Sequence, residues 1–243
     1  HKGSNRLTYF LRQTHKKWDI VYFLKCDVEQ YFQNINHDVL FNILNRHIKC
    51  KSTLNLLENI IRSHNKNERK GIPIGNLTSQ LFANIYLNEL DYFVKHGLKI
   101  KYYLRYMDDF IILSDDKRYL HKIKTKIEDY LLNALYLKLN YKSNVGQAKE
   151  GIDFLGYRTW FDHKIIRKSS IKRIRKRIKK SIKDNIPYDR IKNMITSWFG
   201  YCSHADTYRL KEKTFLLFLQ LYKLNNLNKK FLKLPVTFSQ TRC

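Results

Sequence analysis

Residues 103–114 read YLRYMDDFIILS, two apolar, β-prone runs meeting at a pair of adjacent carboxylates. Asp is common in turns, and the flanking Tyr, Leu, Phe and Ile predict the arms of a β-hairpin. The stretch alone admits two readings. It is either an ordinary turn, or a turn that holds Asp108 and Asp109 at the mouth of a sheet to bind a metal ion. What else the chain brings to that edge decides between them.

The 243 residues carry 47 Lys and Arg against 21 acidic residues, a formal charge of +26. Such an excess attracts polyanions, either nucleic acid or an anionic membrane surface. It is unevenly placed: from Lys164 to Lys233 there are 20 Lys and Arg against 4 acids. A mixed first part joined near residue 162 to a strongly basic second part is expected, and 43% hydrophobic residues suffice for one large core or two modest ones. No apolar run approaches the ~18 residues of a membrane span. The N-terminus, HKGSNR, has no signal-peptide core and no initiating Met, which suggests a fragment or a processed piece. Cys26, Cys50, Cys202 and Cys243 form no CxxC pair and have no His at zinc spacing. Free thiols in a reducing compartment, the cytoplasm, are therefore expected.

Periodicity orders the rest. Ile20–Asp27 (IVYFLKCD) reads as a buried strand ending at a carboxylate. Helices are predicted from Asn36 or His37, from Ser52 to about Ser63, from about Thr78 to His96, and from Lys117 to Leu135. The polar, Gly/Pro-punctuated NKNERKGIPIGN between the second and third is a loop, and LKLNYK (137–142) and IDFLGYRTWF (152–161) read as further strands. The basic part reads as helices over Ser170–Lys183, Tyr188–Cys202 and about Tyr208–Asn225. Helices segregated against an antiparallel sheet indicate an α+β fold, followed by an all-α basic part.

Asp27 closes one predicted strand and Asp108 sits at the turn after another. If those strands are neighbours, the carboxylates share one sheet edge and repel each other. A divalent cation removes that penalty, and oxygen ligands favour Mg²⁺ or Mn²⁺. Two such ions about 4 Å apart can activate an attacking hydroxyl and stabilise a leaving phosphate oxygen. Together with a basic partner region, this is what a polynucleotide polymerase needs.

Five blocks in order resemble bacterial reverse transcriptases. Asp27-Val-Glu-Gln-Tyr-Phe-Gln-Asn-Ile-Asn-His37 is similar to their first palm block, and residues 71–91 (GIPIGNLTSQLFANIYLNELD) to the central block. Tyr106-Met-Asp-Asp109 matches the YxDD block, LKLNYKS carries the expected Lys142, and Phe154-Leu155-Gly156-Tyr157 looks like the primer grip. SWFGYCSHA (197–205) resembles the thumb of the same group. The resemblance implies a right-hand polymerase palm over residues 20–162, with helices on one face of an antiparallel sheet, and a helical thumb and tail over 163–243. It also implies the roles. Asp27, Asp108 and Asp109, with the Val28 carbonyl, form the centre for two Mg²⁺ ions, with Mn²⁺ as a substitute. Phe32 is the aromatic gate against a ribose 2′-hydroxyl, Gly75 allows close approach of the nucleotide, and Ser79 begins the helix beneath it. Lys142 is a candidate proton donor to pyrophosphate. The implied partners are an RNA template, a DNA or RNA primer and deoxynucleoside triphosphates.

The central block departs from the common Gln-Gly-x-x-x-Ser-Pro at both ends, with Ile74 and Gln80. This variant looks like the enzymes of diversity-generating retroelements, relatives of group II intron and retron enzymes that miscopy template adenines. Those enzymes work with a small basic accessory protein. The family also carries basic finger blocks ahead of the first palm block, whereas here residues 1–19 resemble only the last part of the fingers. Truncation is the expected reason, because the motif residues are intact. The alternatives are a non-catalytic nucleic-acid-binding remnant and an active enzyme of the group II intron or retron type.

Several residues have simpler readings. Cys26 and Met107 are expected to be packing residues, His37 a helix-start residue, and Asp115 and Asp116 a loop and helix N-terminus. The basic helix at 170–184 has an apolar stripe of Ile171, Ile174, Ile178 and Ile182 without Trp or Phe, which disfavours a membrane surface. Its Lys172, Arg173, Arg175, Lys176 and Lys179 are expected to follow the phosphates of an A-form hybrid duplex.

Overall fold

The computed structural model describes residues 2–63, 69–73 and 75–232, with residues 224–232 given by their helical backbone alone. Ile74 and the loop residues 64–68 therefore lie outside the described residues. The chain divides into two compact units, His1–Phe154 with Trp160–Asp162, and Leu155–Thr159 with His163–Cys243.

The first unit is built on a four-stranded antiparallel sheet. Its strands are β1 (Tyr22–Asp27), β2 (Tyr103–Tyr106), β3 (Asp109–Ser114) and β4 (Asn144–Gln147), in the order β2-β3-β1-β4. Leu24, Cys26, Phe110 and Ile112 on one face enter a single core with the helices, while Phe23, Ile111 and Leu113 on the other are also buried. Burial on both faces explains why β3 is a continuous apolar run rather than an alternating one. The helices of that core are α3 (His37–His47), α4 (Lys51–Arg62), α5 (Leu77–Tyr92) and α6 (Lys117–Leu135). α6 buries Leu120, Ile123, Ile127, Leu131 and Leu135 on one stripe, and Asp116 caps it by accepting from the amides of Arg118 and Tyr119. Asn36 caps α3 in the same way through Val39 N.

Four features differ from the sequence reading. Lys2–His15 forms a helix, α1, that was not expected, burying Leu7, Phe10, Leu11 and Thr14 at helical spacing. The helix predicted to run to His96 ends as α5 at Tyr92 and continues as a π-helical turn, Phe93–Gly97, in which Phe93 stacks on Tyr130 at 4.1 Å. LKLNYK is not a strand. Leu139 makes a single antiparallel bridge to Val28, just beyond β1, and then Asn140 Oδ1 accepts from Lys142 N and Asn140 O from Ser143 N, a local turn that ends the pairing before β4 takes it up along β1. Finally, IDFLGYRTWF is broken into β5 (Ile152–Phe154) and β6 (Tyr157–Thr159), because Leu155 and Gly156 both adopt left-handed backbone.

In the second unit β6 pairs with β7 (Lys164–Ile166), and three helices follow: α7 (Lys168–Lys183), α8 (Tyr188–Cys202) and α9 (Tyr208–Leu232). Ile174, Ile178 and Ile182 of α7 meet Ile191, Ile195 and Phe218 in a small core. Among the described residues no helix is long and apolar enough to cross a membrane.

Candidate active site

Register brings the predicted carboxylates together. Asp27, the last residue of β1, stands opposite Asp109, the first residue of β3. Tyr106 and Asp109 also pair, leaving Met107 and Asp108 as a two-residue turn between β2 and β3. Val28 N donates to the Asp108 carbonyl at 3.3 Å, so the end of β1 and the turn are tied side by side. Met107 takes φ 56, a conformation that a two-residue hairpin turn requires and that most residues other than Gly resist.

The local environment is electrostatically unbalanced. Burial, then the charge of Asp108, holds the Asp27 carboxyl above its ordinary range, against the pull of Lys25 and a hydrogen bond from Asn140. Burial pushes Asp109 up to about 6, with Lys25 opposing and the charges of Asp27 and Asp108 adding to the rise. Lys25 Nζ lies 3.6 Å from Asp109 Oδ2 and donates to the Asp153 carbonyl at 2.7 Å. Asp109 Oδ1 is buried and has no hydrogen-bond partner.

These residues fit a divalent cation. Three carboxylates crowd one edge and are only partly offset by Lys25, an acceptor oxygen of Asp109 is orphaned, and every donor is a hard oxygen. Among the described residues no group of three or more His, Cys, Asp and Glu side chains converges on one point. A site of one or two carboxylates completed by substrate phosphates is the arrangement Mg²⁺ commonly takes.

A pH dependence follows. A carboxyl raised on folding stabilises the folded state below its unfolded value of roughly 3.9, and that contribution is lost as pH rises through its folded value. For Asp109 the window closes near 6. Protons and cations should therefore compete for the site. Mg²⁺ at about ten times its dissociation constant is expected to raise the melting temperature by roughly 3 °C near pH 7.5. Near pH 5 the shift should be distinctly smaller. Equal shifts at the two pH values would show that the ion binds elsewhere.

Asn140 was missed by the sequence reading. Its Nδ2 donates to Asp27 Oδ2 at 3.2 Å and its backbone N donates to the Asp27 carbonyl at 2.7 Å, while Ser143 Oγ accepts from Asp27 N at 3.3 Å. An Asn in a polar loop carries no signal of such a contact until the loop is seen crossing the end of β1. Lys142 is exposed, with its ammonium 5.3 Å from the Tyr141 ring centroid, and its charge acts on Asp27.

Beyond Asp27 the backbone turns left-handed at Gln30 and enters the short helix α2 (Tyr31–Asn34). Phe32 is half-buried against Tyr31, and its carbonyl accepts from Ile72 N at 2.8 Å. The loop of the central block is thus held beside it. Gly75 has φ 95 and open space where a Cβ would stand, Ser79 is buried in the first turn of α5, and Gln80 is exposed. His37 is a core residue whose Nε2 bonds the Gly71 carbonyl at 2.7 Å. Cys26 is also core, its thiol pushed up to about 12 by burial.

Of the residues expected to form a primer grip, Phe154 is buried at the end of the first unit and Leu155, Gly156 and Tyr157 open the second. Within the second unit Tyr157 Oη donates to the Tyr201 carbonyl at 2.9 Å, and the Tyr201 hydroxyl sits where a Cβ on Gly156 would be, 2.1 Å from it. A pocket of about 500 Å³ is lined by Leu155, Gly156, Arg167, Arg173, Arg177 and Tyr201, among others. Lys172, Arg173, Arg175, Lys176 and Lys179 are all exposed on α7. The unit thus presents one cationic helix face and a guanidinium-rich pocket, features suited to phosphates.

The family model described as reverse transcriptase (RNA-dependent DNA polymerase) matches residues 2–159. A COX1/OXI3 intron 2 protein of Saccharomyces cerevisiae is 25% identical over 253 aligned positions, covering 76% of this chain and 29% of the relative. The group II intron-encoded protein LtrA of Lactococcus lactis is 36% identical over 87 residues, covering 33% of this chain and 14% of the relative. The chain therefore spans less than a third of the length of either. Among solved structures, telomerase from Candida albicans in complex with a fragment of telomeric RNA superposes with a TM-score of 0.57. At 13% identity, over 90% of this chain and 43% of that one, this shows a shared fold.

Proposed function

The chain belongs to the reverse transcriptase family, and from that premise we propose that it extends a primer along an RNA template using deoxynucleoside triphosphates. The observation that carries the reading is the placement of Asp27 opposite Asp109, with Asp108 at the adjoining turn. Asp27, Asp108 and the Val28 carbonyl would hold the metal, with Asp109 restrained by Lys25. When bound, Mg²⁺ or Mn²⁺ supplies Lewis acidity at the phosphate undergoing transfer. In this reading Phe32 would reject a 2′-hydroxyl, Gly75 would leave room for the nucleotide, and the exposed Lys142 would hold a proton for the departing pyrophosphate. The loop at Leu155–Tyr157 and the cationic face of α7 are assigned to primer and duplex. Template-dependent synthesis on an RNA template tests this. Duplex binding without any extension would favour the non-catalytic reading.

Two observations bear on the kind of retroelement. Ile74 and Gln80 in place of Gln and Pro favour the diversity-generating type, which copies with errors at template adenine and works with a small basic accessory protein. The intron relatives favour an intron-type enzyme as the second reading. Ile has no hydrogen-bonding group to restrain the nucleotide, and one such bond is worth roughly 0.5–1.5 kcal/mol. In a form of the protein that extends primers, Ile74→Gln is therefore expected to lower misincorporation opposite adenine several-fold while synthesis continues. Sequencing the products of both proteins on a mixed RNA template decides it. Equal error rates would remove the ground for the diversity-generating reading.

A further inference from the structure

The turn that carries Asp108 is held by a side chain that no motif reading singled out. Arg105, on β2, is only 10% exposed, and its guanidinium forms two sets of contacts. Nε donates to Asp91 Oδ1 at 2.7 Å and Nη2 to Asp91 Oδ2, so the carboxylate is gripped by both prongs of the fork. Nη1 donates to the Met107 carbonyl at 3.0 Å. Asp91 lies near the C-terminal end of α5 and accepts a further bond, from Tyr103 Oη at 2.7 Å. The carbonyl that Arg105 holds belongs to the strained left-handed residue, and it fixes the peptide plane leading into Asp108. On the other side, the carbonyl of Asp108 itself is held by Val28 N.

We infer that Arg105, braced by Asp91, is a positioning residue that imposes the left-handed conformation of Met107 and so aims the Asp108 carboxylate at the metal. The inference rests on the metal-dependent reading of this site. Its chemistry requires guanidinium: a planar fork can span a carboxylate and a carbonyl at once, whereas a lysine ammonium is a single point. Gly at position 107 would reach the same turn without strain, because it is the residue preferred at the first central position of a turn with left-handed backbone there.

Mn²⁺ binding to the whole chain, followed by the electron paramagnetic resonance signal of the free ion, provides a readout separate from polymerisation. Arg105→Lys is expected to weaken Mn²⁺ binding by roughly 10-fold, the lower end of what losing a ligand-orienting partner costs. Asp91→Asn, which loosens the brace while keeping the fork, should weaken it several-fold and stands in if Arg105→Lys fails to melt cooperatively. Adding Met107→Gly to Arg105→Lys should recover most of the lost affinity, an effect that a general loss of packing would not show. If Asp108→Asn abolishes binding but neither Arg105→Lys nor Asp91→Asn changes it, the positioning role is overturned and the metal reading stands. So does a failure of Met107→Gly to restore affinity overturn it. If the unaltered chain binds no Mn²⁺, or Asp108→Asn binds as well as it does, the metal reading fails and the inference falls with it.

Discussion

Primer extension by an Asp108→Asn chain is expected to fall by at least about 1,000-fold, because an ion at such a site supplies several kcal/mol of charge stabilisation and about 4 kcal/mol corresponds to that factor. Asp27→Asn should behave alike. The losses should be confined to chemistry. It is the backbone carbonyl of Asp108, not its carboxylate, that accepts from Val28 N, so the turn keeps its tie to β1. At Asp27 the amide oxygen of Asn can still accept from Asn140 Nδ2, and the burial of a charge and its repulsion by Asp108, which together raise the Asp27 carboxyl, are both removed. Melting temperatures should therefore be unchanged or higher. Affinity for an RNA–DNA duplex should stay within about twofold, since binding of this kind rests on cationic contacts with phosphate. A gel-based extension assay, paired with duplex anisotropy, checks both halves. Comparable extension by Asp108→Asn would remove the metal assignment.

The second large effect concerns α7. Replacing Lys172, Arg175, Lys176 and Lys179 with Gln should lower duplex affinity at low salt by roughly 10- to 100-fold. The slope of log affinity against log salt should flatten by about 0.7–0.9 for each phosphate that is no longer neutralised. The helix should survive, because Ile174, Ile178 and Ile182 keep their buried partners and all four replaced side chains are exposed. Anisotropy over a salt series, with circular dichroism as the control for folding, measures this. An unchanged slope would place the phosphate-binding surface elsewhere, with the guanidinium-rich pocket beside Gly156 the next place to look.

Local pattern determined a large share of the molecule. The apolar runs at 20–27 and 103–114 specify strands, the spacing of Leu120, Ile123, Ile127 and Leu131 specifies α6, and the isoleucine stripe specifies α7. Each signal is written within a few residues, in the period at which side chains reach a buried face. The same signal was present in Leu7, Phe10, Leu11 and Thr14, and α1 could have been read from it. The carboxylate pair was legible for a related reason, since acidic residues interrupting β-prone runs mark the place where a sheet edge meets solvent.

What the sequence left undecided depends on groups far apart in the chain. Asn140 reaches Asp27 across 113 positions, and Arg105 reaches Asp91 across 14, backwards from a strand to a helix. Lys25 faces Asp109 only because β1 and β3 pair in one register, and a shift of a single residue would turn its side chain to the opposite face. LKLNYK failed as a full strand for the converse reason: after one antiparallel bridge, Leu139 to Val28, Asn140 bonds to its own neighbours and turns the chain, and β4 supplies the ladder to β1. Periodicity reports which face a residue occupies. Which buried polar atom satisfies which other is set only when tertiary packing brings their desolvated groups together, because leaving either unpaired costs more than any local preference.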